Sequence, residues 1–292
     1  MVASRRVAAC ILMAGAAAAD YRCSPVLNDT LRTRLSLRSC EHLLASRCGF
    51  QNTLVEAPGS CAATDSDMPP PATSFFPGTK ASELGCIARS STFGRALWCL
   101  ARGVNTAMEL FTGVGGGSTL LLAHALSAHR PGRRGAPRSF FTVERHLGNA
   151  YHAQNVLESV GIPAQVLSLA RPGGLTSSMA ALVKEQPGVW ILHGDVFENL
   201  GVFEALCGAI GGLDLVMLDP PLDMRNVWPL LEAACKPKFL AVHNANLPGH
   251  AGWLPAHLRR QPGNRWYEMM NGSHPSVWER GVRSWSLMGQ CW

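Results

Sequence analysis

From residue 81 onward the apolar positions fall into two alternating patterns. Short, mostly apolar runs stand at 107–108, 139–143, 164–169, 189–192, 213–218 and 239–242. Between them lie longer stretches whose apolar residues recur at helical spacing: 81–103, 120–126, 149–160, 175–184, 202–210 and 228–234. Gly103, Gly161 and the pair Gly211-Gly212 close three of those stretches, as glycine does at helix ends. Mostly apolar strands, alternating with helices, predict an α/β fold with a mostly parallel sheet covered on both faces. The tail breaks the pattern. Segments 265–270 and 282–288 read as two strands joined by a polar loop, an antiparallel hairpin at the sheet's edge.

Upstream the patterning fades. Residues 20–80 hold Met68-Pro69-Pro70-Pro71 and Phe76-Pro77-Gly78, which exclude a helix and disfavour a strand there. They read as a Cys- and Pro-containing extension that precedes a domain over 81–292. Residues 1–19 read as a signal peptide: Arg5 and Arg6, an apolar stretch from Val7, then Ala17-Ala18-Ala19. The same stretch is compatible with an uncleaved anchor or an Ala-rich first helix. No later segment has the length and apolarity of a membrane span. This places the chain in the secretory pathway, with organelle import as the alternative, because the Ser- and Arg-rich segment after it suits a transit sequence.

Cysteine usage agrees with an oxidising compartment. Six of ten cysteines fall between Cys23 and Cys99, and no CxxC pair exists, which argues against a zinc ribbon or a thioredoxin-like site. Asn28-Asp29-Thr30 and Asn271-Gly272-Ser273 are glycosylation sequons. The formal net charge of +6 is too small for a dedicated nucleic-acid wrapper, though Arg130, Arg133, Arg134 and Arg138 share one loop.

The chemistry concentrates around residues 109–119, Glu-Leu-Phe-Thr-Gly-Val-Gly-Gly-Gly-Ser-Thr. This reads as a strand end, a Gly-rich turn and a helix start. Glycine permits close backbone approach and positive φ, and the helix start offers free N–H groups to a ligand. No Lys-Ser or Lys-Thr follows, so it is not a phosphate loop, and Ser118 spoils the dehydrogenase Gly-x-Gly-x-x-Gly spacing. The later strands also end in polar residues: Glu144, Asp195, Asp219, then His243 and Asn244. In a doubly wound sheet these carboxyl ends line the ligand crevice. An acid after the second strand suits a ribose diol, which fits Glu144. Asp195 can take an exocyclic amine or cap the next helix. Asp219, His243 and Asn244 offer a carboxylate, an imidazole and an amide, a mixture that suits a divalent ion such as Mg²⁺.

In this order, the motifs resemble the class I S-adenosylmethionine-dependent methyltransferases. Glu109-Leu110-Phe111-Thr112-Gly113-Val114-Gly115 looks like that superfamily's first motif, with Phe111 where the first Gly usually stands. Glu144 looks like its ribose acid, Gly194-Asp195 like its adenine segment and Asp219-Pro220-Pro221 like its motif after strand four. The resemblance covers about residues 81–292. It implies a Rossmann-like methyltransferase fold, with Glu109, Gly113, Gly115, Gly117, Ser118, Glu144 and Asp195 as cofactor-binding residues.

Within the superfamily, the layout is similar to the metal-dependent small-molecule O-methyltransferases. There Asp219 matches one metal ligand, and His243-Asn244 stands where an Asp-Asn pair is usual. The Lys base of that branch is missing from Pro220-Pro221-Leu222-Asp223. The resemblance implies methyl transfer to a small-molecule hydroxyl, with Asp219 and His243 catalytic, and with Asp219, His243 and Asn244 as metal ligands. Two alternatives stand beside it. One is an N-methyltransferase acting on nucleic acid or protein, with Leu222 replacing the aromatic of its Asp-Pro-Pro motif. The other is a non-catalytic secreted or luminal protein that retains the fold. Trp253, Trp266, Trp278 and Trp285 are divided between an acceptor pocket and the core.

Overall fold

The structure, a computed structural model, describes residues 68–70, 87, 89, 91–127, 138–169, 178–195, 198–219, 224–244, 253–260, 266–275 and 282–290. The signal reading of 1–19, nearly all of the 20–80 extension, the Asn28 sequon and the prolines after Asp219 lie outside these residues. So do Trp278 and the basic loop up to Arg138.

Seven helices and eight strands are described. Helix α1 spans Thr92–Arg102 and strand β1 Thr106–Leu110. Then follow α2 (Ser118–Ser127), β2 (Ser139–Glu144), α3 (Leu147–Ser159), β3 (Ala164–Ser168), α4 (Ser178–Glu185) and β4 (Val189–His193). The chain continues through α5 (Leu200–Ile210), β5 (Leu215–Leu218), α6 (Trp228–Cys235) and β6 (Phe239–His243). It closes with α7 (Trp253–Arg260), β7 (Trp266–Pro275) and β8 (Val282–Gln290). The sheet order is β3-β4-β2-β1-β5-β6-β8-β7. Strands β1 to β6 pair in parallel, and β8 and β7 add an antiparallel hairpin at the edge. This is the α/β, Rossmann-like methyltransferase fold that the sequence predicts.

The two faces follow the period of two along each strand. Ala107, Phe140, Ile191, Met217 and Ala241 pack beneath α1, α2 and α3. Met108, Phe141, Trp190, Val216 and Leu240, each one position away, pack against α4 to α7. Every residue of β2, β5 and β6 is buried, because helices cover both sides. At the amino ends of the strands, Asp214 fixes the register. Its Oδ2 accepts from the backbone N–H groups of Asn105 and Thr106, and Lys238 Nζ lies 2.6 Å from its Oδ1. Succession runs outward from β1 to β2 on one side and from β5 to β6 on the other. The strand order therefore reverses between β1 and β5, and the crevice opens at their carboxyl ends.

Several elements differ from the sequence reading. Helix α3 begins at Leu147, two residues before the expected start at Asn149. Strand β7 runs on to Pro275, past a register shift between Glu268 and Met270, and an edge strand tolerates that terminal proline. Helix α7, which the sequence reading does not assign, buries Leu254 and Leu258 on one face. Pro255 hid it, although a proline in a helix's first turn costs no intrahelical bond.

Cys207 of α5 and Cys235 of α6 form a disulfide that closes a separation of 28 residues. A loop of that size is worth about 3–4 kcal/mol through the unfolded chain. Replacing both cysteines by alanine is therefore expected to lower the melting temperature by on the order of 10 °C in a calorimetric scan. An unchanged melting temperature would mean that the bridge does not stabilise this domain.

Candidate active site

The Gly-rich turn is folded back over the end of β2. The N–H groups of Phe111 and Thr112 both donate to Val143 O, at 2.9 and 3.1 Å. Phe111, Gly113 and Gly115 all have positive φ, at 78°, 57° and 83°. Phe111 thus adopts the backbone of the glycine that usually stands in this motif, and its half-buried ring packs against the core beneath α4 to α7. Gly115 has a second reason to be glycine: a Cβ there would stand 2.6 Å from Ala153 of α3. A Cβ on Gly113 would meet nothing within 4 Å, so the turn presents an open side at that point.

Glu109, fully buried, lies under this turn. Its Oε2 accepts from Thr119 Oγ1 at 2.6 Å and from Thr142 Oγ1 at 2.9 Å. Thr119 Oγ1 also lies 3.3 Å from Thr112 O, and the hydroxyls of Thr112 and Thr142 are hydrogen-bonded to each other. Oε1 is buried and has no hydrogen-bond partner among the described residues. Burial pushes the carboxyl up to about 7; the hydroxyls of Ser118, Thr119 and Thr142 pull it back in part, and the charge of Asp219 adds to the rise.

On one side of β1, Glu144 ends β2 and is 4% exposed. Its Oε1 accepts from the backbone N–H of His146 at 2.7 Å. Across the ladder, Gly194 N donates to Glu144 O, which brings Asp195 alongside. The Asp195 carboxylate lies 3.8 Å from Arg145 Nε, an exposed contact of little energetic weight. Its backbone oxygen accepts from Asn199 Nδ2.

On the other side, Asp219 follows β5, and His243 and Asn244 close β6. His243 Nδ1 stands 2.9 Å from Asp219 Oδ1, and Asn244 Nδ2 donates to the same oxygen. His243 is fully buried in its side chain, whereas Asp219 keeps 15% of its side-chain surface exposed. The His243 ring lies 5.5 Å from Phe93 and nearly parallel to it, and Phe93 stacks in turn on Trp285. Asn244 has φ 56°, and its Oδ1 is buried without a partner among the described residues.

The turn, Glu144, Asp195 and the Asp219 cluster thus share one edge of the sheet. Acidic side chains dominate this edge: Glu109 and Glu144 are buried, and Asp195 and Asp219 are partly exposed. A divalent cation fits the Asp219 cluster poorly. Because the Asp219 carboxylate can only accept, His243 Nδ1 must carry its proton and cannot offer a lone pair there. Asp219 Oδ1 is already shared between two N–H donors. Among the described residues no group of three His, Cys, Asp or Glu side chains could hold a metal. Trp266 and Trp285 belong to the core, and Trp253 is half-buried beside Arg225. Sequence reasoning missed Thr119, Thr142, Phe93 and His152. Thr142 was open to it, because register places Thr142 opposite Glu109 in the ladder.

The raised Glu109 carboxyl gives a signed expectation. A carboxyl whose folded pKa lies near 7, above its ordinary 4.5, stabilises the fold at low pH and loses that contribution as pH rises through 7. Glu109→Gln should therefore melt close to wild type near pH 4.5, gain on it as pH rises to about 7, and keep a constant lead at higher pH. A difference independent of pH would contradict a shifted Glu109.

No protein-family model matches the sequence, and no curated protein sequence matches it. Among solved structures the chain is similar to an O-methyltransferase from Bacillus cereus in complex with SAH, at 12% identity, 86% of this chain, 97% of that chain and a TM-score of 0.48. It is also similar to the O-methyltransferase TomG from Streptomyces achromogenes, involved in tomaymycin synthesis and in complex with SAM, at 18% identity, 87% of this chain, 96% of that chain and a TM-score of 0.47. A methyltransferase from Geobacter sulfurreducens aligns over 97% of this chain and 95% of its own, at 15% identity and a TM-score of 0.40.

Proposed function

We propose that the chain transfers a methyl group from S-adenosylmethionine to the hydroxyl of a small molecule. One juxtaposition carries the reading. The open glycine turn and Glu144 lie on one side of the strand-order reversal, and the partly exposed Asp219 carboxylate lies on the other. When bound, S-adenosylmethionine supplies a methyl group on a positively charged sulfur. Glu144 holds the ribose diol, and Asp195 flanks the base. The turn between β1 and α2 places the remainder of the cofactor over the buried Glu109.

Asp219 faces the crevice and serves as the base. His243 and Asn244 each donate to its Oδ1, so they fix the orientation of the carboxylate. Asp219 would take the acceptor's O–H proton, while S-adenosylmethionine, when bound, would supply the methyl group. Positioning supplies most of the rate, since in-line attack needs the two reacting atoms held in contact and dry. His243 acts through Asp219, which accounts for an imidazole with no exposed surface.

Isothermal titration with SAH tests this reading. Wild type should bind in the micromolar range. Glu144→Ala should weaken binding by about 30-fold or more, the cost of losing charged hydrogen bonds to a diol. Asp219→Asn should bind within about threefold of wild type but fail to methylate any hydroxylated acceptor that wild type accepts. Absence of SAH binding by wild type would refute the reading.

Chelator and added Mg²⁺ should leave the SAH isotherm unchanged. A divalent-dependent shift would return Asp219 and the Asn244 Oδ1 to the role of metal ligands.

A further inference from the structure

Helix α3 touches the crevice at two points. Its N-terminal end meets Glu144, through the N–H of His146. Six residues on, about 9 Å along the axis, His152 Nδ1 lies 3.0 Å from the backbone oxygen of Val114. A carbonyl only accepts, so Nδ1 carries the proton and donates. Ala153, the next residue, is the surface on which Gly115 rests.

Val114 sits between two left-handed glycines, Gly113 and Gly115. Glycine has little preference among backbone conformations, so the 114–115 peptide has no intrinsic reason to keep one orientation. Were that peptide to rotate, Val114 O would turn away and the N–H of Gly115 would lose Thr112 O, now at 3.3 Å. Among the described residues, the His152 hydrogen bond and the Ala153 surface oppose rotation from the helix side.

We propose that His152 is a positioning residue for the bound cofactor, holding the 114–115 peptide so that the turn keeps its open side toward the crevice. This rests on the cofactor reading above. His152 is half-buried and touches the turn through a backbone atom, so its effect is on the shape of the binding loop. Through α3 the same helix sets the positions of both the turn and Glu144, the two places where the cofactor is held.

The test is SAH titration and thermal melting of the full chain as wild type, His152→Ala and His152→Asn. The Asn amide nitrogen replaces the Nδ1 donor. His152→Ala should bind SAH about tenfold or more weakly, with a melting temperature within about 3 °C of wild type, the scale expected for one hydrogen bond. His152→Asn should recover binding to within about threefold of wild type. Unaltered affinity in His152→Ala would overturn the proposal. So would weak binding that His152→Asn fails to restore, because the hydrogen bond would then not be the cause. If wild type itself does not bind SAH, the cofactor reading is what has failed, and the variants are not needed to see it.

Discussion

The buried carboxylate of Glu109 is the point on which the crevice depends. It sits at the end of the central strand, under the turn, with no exposed surface. Three pieces of chain reach it. Thr142 comes from β2, Thr119 from the first turn of α2, and Thr112 from the turn itself through those two hydroxyls. Removing a charged group from water is costly unless it is neutralised or hydrogen-bonded. Here the carboxyl is partly neutralised, and its hydroxyl partners draw strand, turn and helix together. The hydrogen-bonded oxygen therefore serves the fold by tying strand, turn and helix to one group.

Much of this was legible from the sequence for a simple reason. Apolar runs such as 213–218 and 239–242 specify buried parallel strands whatever their neighbours do, and glycines punctuate the turns. The polar residues that end those runs fall at one edge because every parallel strand points the same way. What stayed hidden was the pairing between elements. Nothing in the spacing of Phe93 or His152 says that one covers His243 and the other reaches Val114. Helix α7 was hidden by Pro255, and the disulfide between α5 and α6 by the many pairings ten cysteines allow. The roles within the Asp219 cluster also needed geometry. As residue types, Asp, His and Asn suit a cation; as placed, two of them donate to the third.

The two sides of the crevice are electrostatically joined. Asp219 contributes to the raised carboxyl of Glu109, so negative charge on one side disfavours it on the other. His243 and Asn244 oppose that build-up by turning N–H groups toward Asp219. Their support comes from outside the parallel sheet. The His243 ring is held by Phe93 at the start of α1, and Phe93 by Trp285 on the antiparallel strand β8. Helix α1 and the terminal hairpin are thus part of the apparatus that orients the crevice carboxylate, although neither supplies a residue to its open side.

The distribution of strain supports assigning function to this edge. Among the described residues, three that are not glycine have positive φ: Phe111, Lys236 and Asn244. Lys236 has an ordinary explanation, since it is the left-handed cap that ends α6. Phe111 and Asn244 cap no helix. They follow β1 and β6 at the same end of the sheet; among the described residues Glu109 and Asn244 there each carry a buried acceptor oxygen without a partner, as does Gln290 on β8. Left-handed backbone outside glycine and unpaired buried oxygens each cost stability. A fold that needed only to be stable would lose nothing by relieving both. Both strained positions stand at the end of the sheet where the open turn and the oriented Asp219 lie.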